Sequence, residues 1–428
     1  MSVQLPYRLG KYELTRQIGE GATGKVYYAL DTFSGLEVAV KLIDHDALAE
    51  ADFNEERRRQ FLTEASLAGR LAHPHIVAIL EASVTKDGGY VVMEYVPEGN
   101  LSRYTYPDAL LPVGNVLQII FKCGGALDYA FRHGVIHRDI KPSNIMVVSG
   151  TNVKITDFGA AVFYQAQVSQ KVTTVGTPSY MSPEQVGGHR LTHLSDMYSL
   201  GVVAYELLTG VLPFQSHDML ELFDAITKKE PVPPSAHRPG LPAKLDRMVM
   251  RMIAKDPDDR YPSWANLALE IAETGRFSKY QQDISDSDKF NMLRVSDSLR
   301  EFSDPEIWEL VQASVWATFP TGALILREDE LGQSIYFLAS GRMKVTKHER
   351  LLNVIKAGEY FGEMAYIRRG TRRQATLEAF SDVVVAEFPF SALEKLSLGC
   401  ELRLTKSLLL SMTERLMLAG DRIVRMQG

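Results

Sequence analysis

The stretch HRDIKPSN, residues 137–144, combines side chains suited to proton transfer beside an anion. Asp139 offers a carboxylate that could accept a proton from an attacking hydroxyl group. Lys141 could neutralise a phosphoryl group in transfer, and Asn144 offers a neutral oxygen to a hard cation. Asp157, in ITDFG, would add a second oxygen ligand suited to Mg²⁺. Together these residues predict a divalent-cation site for nucleotide phosphates.

The glycine-rich stretch GEGATG, residues 19–24, stands between two predicted strands and is followed by Lys25 and Val26. Glycines lack a Cβ atom, which lets backbone N–H groups approach a phosphate closely. A tight hairpin would also explain the pattern. The glycine-rich stretch does not precede a predicted helix, which argues against a dinucleotide-binding fold. Lys41 closes the strand VAVK, and Glu64 lies on the next predicted helix. Each alone is typical of a solvated surface, whereas together they could form an ion pair that reaches anionic oxygens.

The elements that must hold these residues divide into two lobes. Alternating apolar and polar residues over about 11–42 predict three consecutive antiparallel strands. Helical spacing follows over 54–72, then two further strands, and the pattern over about 114–275 is mostly helical. A small strand-rich lobe therefore precedes a larger helical lobe, and we expect an α+β fold.

The set GEGATGKV, VAVK, Glu64, HRDIKPSN, DFG and SPE resembles eukaryotic-type protein kinases over roughly residues 11–272. The resemblance implies a two-lobed kinase fold, with Asp139 as catalytic base beside Lys141, and with Mg²⁺ held by Asn144 and Asp157. Lys141 and Thr177 resemble the serine/threonine branch. The implied ATP-binding residues are Gly19, Gly21, Gly24, Val26, Lys41, Glu64, Glu94 and Val96, with Met93 as gatekeeper.

The same resemblance implies supporting contacts. Glu184 would pair with Arg260, and Asp196 would hold the catalytic loop. Between Gly159 and Glu184, the loop contains two adjacent threonines, and a phosphate there could pair with Arg138. We predict autophosphorylation at Thr173 or Thr174; the alternative is that they are ordinary loop threonines.

A second domain is predicted after a polar linker at 273–295. Ser303 and Glu306 are spaced as a capping box at a helix start. Several short strands then indicate a small sandwich or barrel, and the last stretch, from about residue 391, is predicted to be an amphipathic helix. The second domain would span 296–428.

The stretch GEYFGEMAYIRRGTRRQAT, residues 358–376, resembles the phosphate-binding cassette of cyclic nucleotide-binding domains of the catabolite-activator type. The resemblance implies a jelly-roll-like β-barrel with flanking helices that binds cAMP or cGMP. Gly362 would expose backbone N–H groups, Glu363 would bind a ribose hydroxyl, and Arg373 would bind the cyclic phosphate. Thr376 completes the family's Arg-x-Ala-Thr pattern.

This cassette departs from the family in its charge. Arg368, Arg369 and Arg372 make the loop unusually basic, and Gln374 is bulky beside the phosphate position. One alternative is therefore a ligand-free barrel used for docking or dimerisation, attached to a constitutive or phosphorylation-regulated kinase. The C-terminal helix is a candidate homodimer contact, because its apolar face needs cover.

Composition restricts the remaining classes. The net charge of −6 over 428 residues gives no general attraction to nucleic acid or to anionic membranes. The two cysteines lie far apart in the sequence, which indicates a reducing cytoplasm. The sequence has no apolar run long enough to predict a membrane span. Together, the motifs and the composition predict a cytoplasmic signalling kinase of bacterial architecture that phosphorylates proteins. The intact catalytic residues argue against a pseudokinase scaffold, and the charge and lack of a predicted helix-turn-helix argue against a transcription regulator. A small alcohol remains an alternative substrate.

Overall fold

The chain forms two compact units, Met1–Tyr280 and Gln281–Gly428. The computed structural model describes residues 4–21, 24–43, 68–85, 88–158, 178–275, 284–348 and 350–427. Within those residues, helices long and apolar enough to cross a membrane are absent. The helices and sheets confirm the α+β prediction.

The first unit opens with an antiparallel sheet. Its strands run in the order β1-β2-β3-β4-β6-β5. They are β1 (Tyr7–Leu9), β2 (Tyr12–Gly21), β3 (Gly24–Asp31), β4 (Glu37–Ile43), β5 (Ile79–Thr85) and β6 (Gly88–Glu94). The three consecutive antiparallel strands predicted from the alternating pattern are confirmed as β2, β3 and β4.

Alternation along β4 gives this sheet two apolar faces. Val38 and Val40 point to one buried cluster, and Ala39, between them, points to another. The second cluster includes Val77, Met93 and Val96. Strand β4 is therefore buried on both faces of the sheet.

The other described residues of the first unit form mainly helices and the hairpin of β7 (Ile145–Ser149) and β8 (Asn152–Ile155). The helices are α1 (Val113–Arg132), α2 (Pro183–Val186), α3 (His193–Thr209), α4 (Met219–Lys228), α5 (Pro234–His237), α6 (Ala243–Met252) and α7 (Trp264–Gly275). Almost every residue of α3 after its first turn is buried, which is typical of a central helix. Thr192 caps its first turn, and Gly210 ends it with a left-handed φ of 77°.

The second unit contains two four-stranded antiparallel sheets, in the orders β10-β15-β12-β13 and β14-β11-β16-β9. Their strands are β9 (Val315–Phe319), β10 (Leu324–Leu326), β11 (Ser334–Ser340), β12 (Arg342–Lys347), β13 (Arg350–Lys356), β14 (Tyr360–Phe361), β15 (Thr376–Ala379) and β16 (Val383–Pro389). Residues of both sheets, among them Leu338, Met343, Phe361 and Val385, share one buried core. The predicted small sandwich or barrel is therefore present.

Two helical regions differ from the sequence expectations. The stretch 273–295, predicted as a linker, contains helix α8 (Asp286–Arg294), because Ser285 caps it and Phe290 stacks on Trp308. The C-terminal helix is broken into α11 (Phe390–Leu393) and α12 (Leu398–Gln427), since Ser397 accepts a hydrogen bond from the backbone of Cys400 and starts a new helix. The remaining helices of this unit are α9 (Asp304–Gln312), with the predicted Ser303–Glu306 capping box, and the short α10 (Met364–Ile367).

Candidate nucleotide sites of the two units

Asp139 stands at the centre of the predicted catalytic loop. Its Oδ2 accepts hydrogen bonds from Lys141 Nζ at 2.8 Å and from Asn144 Nδ2 at 3.0 Å. Asn144 also donates to the Asp139 carbonyl oxygen at 2.8 Å. Pro142 begins the single 3₁₀ turn that brings these residues round. The structure thus gathers the three polar side chains that the sequence placed in this loop.

Asp196, at the start of α3, holds this loop by hydrogen bonds to its backbone. Its carboxylate accepts hydrogen bonds from the backbone N–H groups of His137 at 2.8 Å and Arg138 at 2.7 Å. Arg138 has a φ of 67°, an unusual conformation for a residue with a Cβ atom, and these bonds hold it there. Burial raises the pKa of Asp196 despite the two bonds. The predicted support of the catalytic loop by Asp196 is confirmed.

Lys41 and Asp157 are brought together from the two lobes. Lys41, on β4, lies with Nζ 2.6 Å from Asp157 Oδ1. Burial alone would raise the pKa of Asp157, but the Lys41 ammonium outweighs it, so that this pKa is lowered and the carboxylate is ionised at neutral pH. Glu64, the predicted partner of Lys41, lies outside the described residues.

Asn144 and Asp157 are linked through their backbones. Thr156, next to Asp157, donates its backbone N–H to the carbonyl oxygen of Asn144 at 2.9 Å. Among the described residues no cluster of three or more His, Cys, Asp or Glu side chains could hold a metal. One carboxylate and one amide oxygen nevertheless suit Mg²⁺, which keeps several waters and is usually completed by substrate phosphates.

The described glycines of the glycine-rich stretch lie at the paired ends of β2 and β3. Gly19 pairs with Val26, and Gly21 with Gly24, across the hairpin. A Cβ atom on Gly24 would lie 1.8 Å from the Leu42 carbonyl oxygen on β4. Gly24 is therefore required by the close approach of the neighbouring strand, which the sequence did not show. The stretch joins two strands, as predicted.

An apolar patch adjoins the end of β6. Val26 packs on the cluster formed by Ala39, Met93, Val96 and their neighbours. The predicted hinge residue Glu94 ends β6, and Val96 is buried. Such an apolar environment beside backbone donors and acceptors suits an aromatic base.

Sequence reasoning missed a partner of Glu94. Lys154, on β8, lies with Nζ 2.6 Å from Glu94 Oε1 and 2.7 Å from Oε2. It stands between the buried residues Val153 and Ile155, and alternation alone predicts a solvated side chain at such a position. No local signal in the sequence could have identified Glu94, 60 residues earlier, as its partner.

The predicted phosphorylation sites Thr173 and Thr174 lie outside the described residues, as do all of 159–177. Directly after that gap, Ser182 caps α2, and Glu184 in its first turn is buried. Arg260 donates to both Glu184 oxygens, at 2.8 and 2.9 Å, with its side chain fully buried. The predicted Glu184–Arg260 pair is confirmed.

In the second unit, Arg373 is buried and held in one orientation. Its Nη1 donates to the Gly362 carbonyl oxygen at 2.8 Å and its Nη2 to that of Ser334 at 2.9 Å. Its guanidinium lies 5.4 Å from the centre of the Tyr336 ring. These bonds orient the group without using all of its N–H donors. An oriented, desolvated guanidinium is suited to a phosphate.

Two glycines make room for this arginine. A Cβ atom on Gly362, which has a φ of 75°, would lie 2.4 Å from Arg373 Nη1. A Cβ atom on Gly332 would lie 2.9 Å from Arg373 Cζ and 2.5 Å from the Ala365 Cβ. Thr376 is also placed beside this region, and its hydroxyl accepts the backbone N–H of Glu328 at 3.0 Å.

Glu363, the predicted ribose ligand, already has a partner. It directly precedes α10, is 7% exposed, and its Oε1 lies 3.1 Å from Arg415 Nη2 of α12. Arg415 also donates to the hydroxyl of Ser411 within its own helix at 3.2 Å. Nothing in the sequence indicated this contact, because β15, β16 and α11 lie between Glu363 and Arg415 in the chain.

The other arginines of the cassette do not converge on Arg373. Arg369 pairs with Glu394 at 2.6 Å on the exposed surface. Arg372 donates to the Asp329 carbonyl oxygen at 2.6 Å, and Arg368 is exposed. Gln374 donates its side-chain amide to the Arg372 carbonyl oxygen. The unusual basicity of the loop is therefore distributed over its outer surface.

Comparison with protein families assigns both units. The family described as protein kinase domain matches residues 12–271. The family described as cyclic nucleotide-binding domain matches residues 316–398. The first match spans more than half of the chain.

Bacterial serine/threonine-protein kinases are similar to this chain. PknB of Mycobacterium leprae is 32% identical over 327 residues, which is 74% of this chain and 52% of that protein. PknB of Mycolicibacterium smegmatis is 34% identical over 292 residues, 66% of this chain and 46% of that protein. The kinase pkn3 of Myxococcus xanthus is 36% identical over 273 residues, 61% and 49% respectively. The chain thus spans about half the length of these curated relatives.

Proposed function

Since the chain belongs to the protein kinase family, we propose that it transfers the γ-phosphoryl group of ATP to serine or threonine residues of proteins. One observation carries this proposal. Lys141 and Asn144 hold the Asp139 carboxylate, while Lys41 holds Asp157 at 2.6 Å, so the charged groups needed for phosphoryl transfer occupy one region. Phosphoryl transfer depends mainly on such positioning and charge.

Each residue has a defined task in this mechanism. Asp139 would accept the proton of the substrate hydroxyl group, with Lys141 and Asn144 fixing its carboxylate. Lys41 would bind phosphate oxygens once a nucleotide is present, sharing its charge with Asp157. Asn144 and Asp157 would hold Mg²⁺, which when bound neutralises charge on the phosphates. An enzyme of this kind would work in the cytoplasm, where ATP is available.

A phosphate-transfer assay tests the activity. Wild-type protein with labelled ATP is expected to label itself or a basic protein substrate. Asp139→Asn should lower the rate by about 10²–10⁴-fold, since the general base is lost. Asp128→Asn, which alters a carboxylate paired with Arg132 on α1, serves as the control. A wild-type rate in the Asp139→Asn protein would refute the assignment.

Regulation by phosphorylation of Thr173 or Thr174 is part of the proposal. Arg138 supports it, because its Nε and Nη1 are buried and lack a hydrogen-bond partner among the residues that the structure describes. Buried guanidinium nitrogens without hydrogen bonds to the described residues favour an incoming phosphate. Mass spectrometry of wild-type and Asp139→Asn protein decides whether the modification is autocatalytic; equal occupancy in both would exclude that.

We further propose that the second unit binds a cyclic nucleotide, cAMP or cGMP, which regulates the kinase. The oriented and buried Arg373 supports this, with Gly362 and Gly332 keeping the space around it clear. Glu363 would exchange Arg415 for a ribose hydroxyl. Calorimetry with both nucleotides should show binding to the wild type and a loss of binding in Arg373→Ala. Transfer rates with and without the bound nucleotide then give the sign of regulation.

The second candidate role of the barrel is dimerisation without a ligand. Leu402, Leu409 and Leu416 recur every seven residues along α12 and are 69%, 53% and 71% exposed. Such spacing favours pairing with the same helix of a second copy. Light scattering at several concentrations tests it: a dimer in the wild type and a monomer in Leu409→Lys would support this role. Absence of nucleotide binding would leave dimerisation or docking as the candidate roles of the barrel.

A further inference from the structure

Lys154 and Glu94 form an ion pair within the first unit that lies beside the predicted ATP site. The ammonium of Lys154 contacts both carboxylate oxygens of Glu94, at 2.6 and 2.7 Å. The two side chains are 19% and 35% exposed, so the pair is partly shielded from water. Partial burial and contact with both oxygens make such a pair stronger than an ordinary surface pair.

The positions of the two residues along the chain show which parts of the predicted ATP site the ion pair joins. Glu94 ends β6, two residues before Val96, in the segment predicted to contact adenine. Lys154 lies on β8, three residues before Asp157, which is predicted to hold Mg²⁺ at the phosphates. The pair therefore connects the backbone that would bind one end of ATP to the strand that leads into Asp157, the predicted ligand at the other end.

Further contacts limit the movement of this connection. Glu94 also accepts the backbone N–H of Ala78 at 3.3 Å, and its own backbone N–H donates to the Ala78 carbonyl oxygen at 2.9 Å. Thr156 donates its hydroxyl to Met93 Sδ at 3.7 Å. Glu94 is thus tied to β8 and to the segment before β5 at once.

We propose that Lys154 is a positioning residue for ATP: it fixes the hinge backbone at Glu94 relative to Asp157 and so sets the KM for ATP. Lys154 acts through Glu94 and touches no reacting atom. A displaced hinge would weaken the adenine contacts while the catalytic loop, held by Asp196, stays in place. The inference rests on the proposed kinase activity.

The test compares kinetic constants of Lys154→Met with those of the wild type. We expect the KM for ATP to rise about tenfold, with kcat changed less than about twofold and the KM for the protein substrate unchanged. Lys154→Arg keeps the charge and should stay within about threefold of the wild-type KM. Lys228→Met, which removes an exposed lysine paired with Asp224, is the matched control and should leave all constants unchanged.

A double variant separates the ion pair from general damage. Glu94→Gln should raise the KM for ATP as Lys154→Met does, and Lys154→Met with Glu94→Gln should add little further. A wild-type KM in Lys154→Met, a loss confined to kcat, or a Lys154→Arg protein as weak as Lys154→Met would each overturn the proposal.

Calorimetry with a non-hydrolysable ATP analogue and Mg²⁺ repeats the comparison without catalysis. If the wild type binds the analogue but transfers no phosphate, the proposed function fails while weaker binding by Lys154→Met still supports the positioning role. If Lys154→Met binds the analogue as tightly as the wild type, the positioning role fails by itself. If the wild type does not bind the analogue at all, both fail.

Discussion

The carboxylate of Glu363 lies 3.1 Å from the guanidinium of Arg415, so the residue predicted to bind a ribose is already engaged by α12. Glu363 is 7% exposed, which leaves little room for two partners on the same side of the carboxylate. A ligand hydroxyl group and Arg415 would therefore compete. Binding of a nucleotide would separate α12 from the cassette at this point.

Arg415→Gln is therefore expected to bind cyclic nucleotide about fivefold more tightly than the wild type, because the competing ion pair is lost. Calorimetry with cAMP and with its 2′-deoxy analogue measures this, and the analogue should show no gain. The control is Arg403→Gln, because Arg403 also lies on α12 but pairs with Glu306 of α9. Weaker binding by Arg415→Gln would mean that Arg415 supports the ligand rather than competing with it.

Asp157→Asn should lower phosphate transfer by about 10²–10³-fold and change the free energy of unfolding by about 1 kcal/mol or less. Asp157 has a φ of 65°, which asparagine adopts readily, whereas alanine does not. Asp157→Ala should be equally inactive and about 1 kcal/mol less stable than Asp157→Asn. Urea denaturation of the three proteins makes the comparison, and equal stabilities of the two variants would contradict it.

Arg260→Met should reduce the free energy of unfolding by about 3–5 kcal/mol, because it leaves the buried Glu184 without its cation. The double change Arg260→Met with Glu184→Leu should recover part of the loss, since no charge then stays buried. Denaturant titration at neutral pH measures both. A loss below about 1 kcal/mol in Arg260→Met would show that water reaches Glu184.

Two buried glutamates of the helical lobe predict opposite dependences of stability on pH. Burial would raise the pKa of Glu184, but the effect of Arg260 outweighs that of burial and the pKa is lowered. Ionised Glu184 therefore stabilises the fold above the usual pKa near 4.5, and this stabilisation is lost as the pH falls. Burial raises the pKa of Glu206, despite the hydrogen bond from Tyr180, so its ionised form destabilises the protein at neutral pH.

Glu206→Gln should therefore be more stable than the wild type at pH 7, with an advantage that shrinks as the pH falls towards 4.5. Glu184→Gln should be less stable than the wild type at pH 7, and the difference in stability should also shrink as the pH falls towards 4.5. Unfolding measured at intervals between pH 4 and 8 gives both curves. Parallel curves for the two variants would contradict these assignments.

The sequence predicted contacts whose residues belong to recognisable motifs. Glu184 and Arg260 meet as expected, and Asp196 holds the catalytic loop, because each lies in a stretch whose neighbours identify it. The strands β2 to β4 were also evident, since alternation of apolar residues is a local property. The assigned roles of the ATP and cyclic nucleotide residues stay predictions.

Contacts between residues far apart in the chain were not predictable where one partner lies outside a recognisable motif. Neither Lys154 nor Arg415 was singled out from the sequence, because only the folded chain brings Lys154 to Glu94 and Arg415 to Glu363. The break between α11 and α12 depends on one hydroxyl group, that of Ser397, which caps α12. Amphipathic spacing of residues does not predict such a break. The linker contained a helix because Phe290 gains burial only against Trp308.

The space around Arg373 gives a criterion for sorting related chains. An arginine at this position can adopt its buried orientation only where positions 332 and 362 carry no side chain, since a Cβ atom at either would displace it. A related barrel that keeps the arginine but has alanine or a larger residue at either glycine should have lost the anion site. The two glycines, more than the arginine, would thus mark which barrels of this kind keep the proposed nucleotide site.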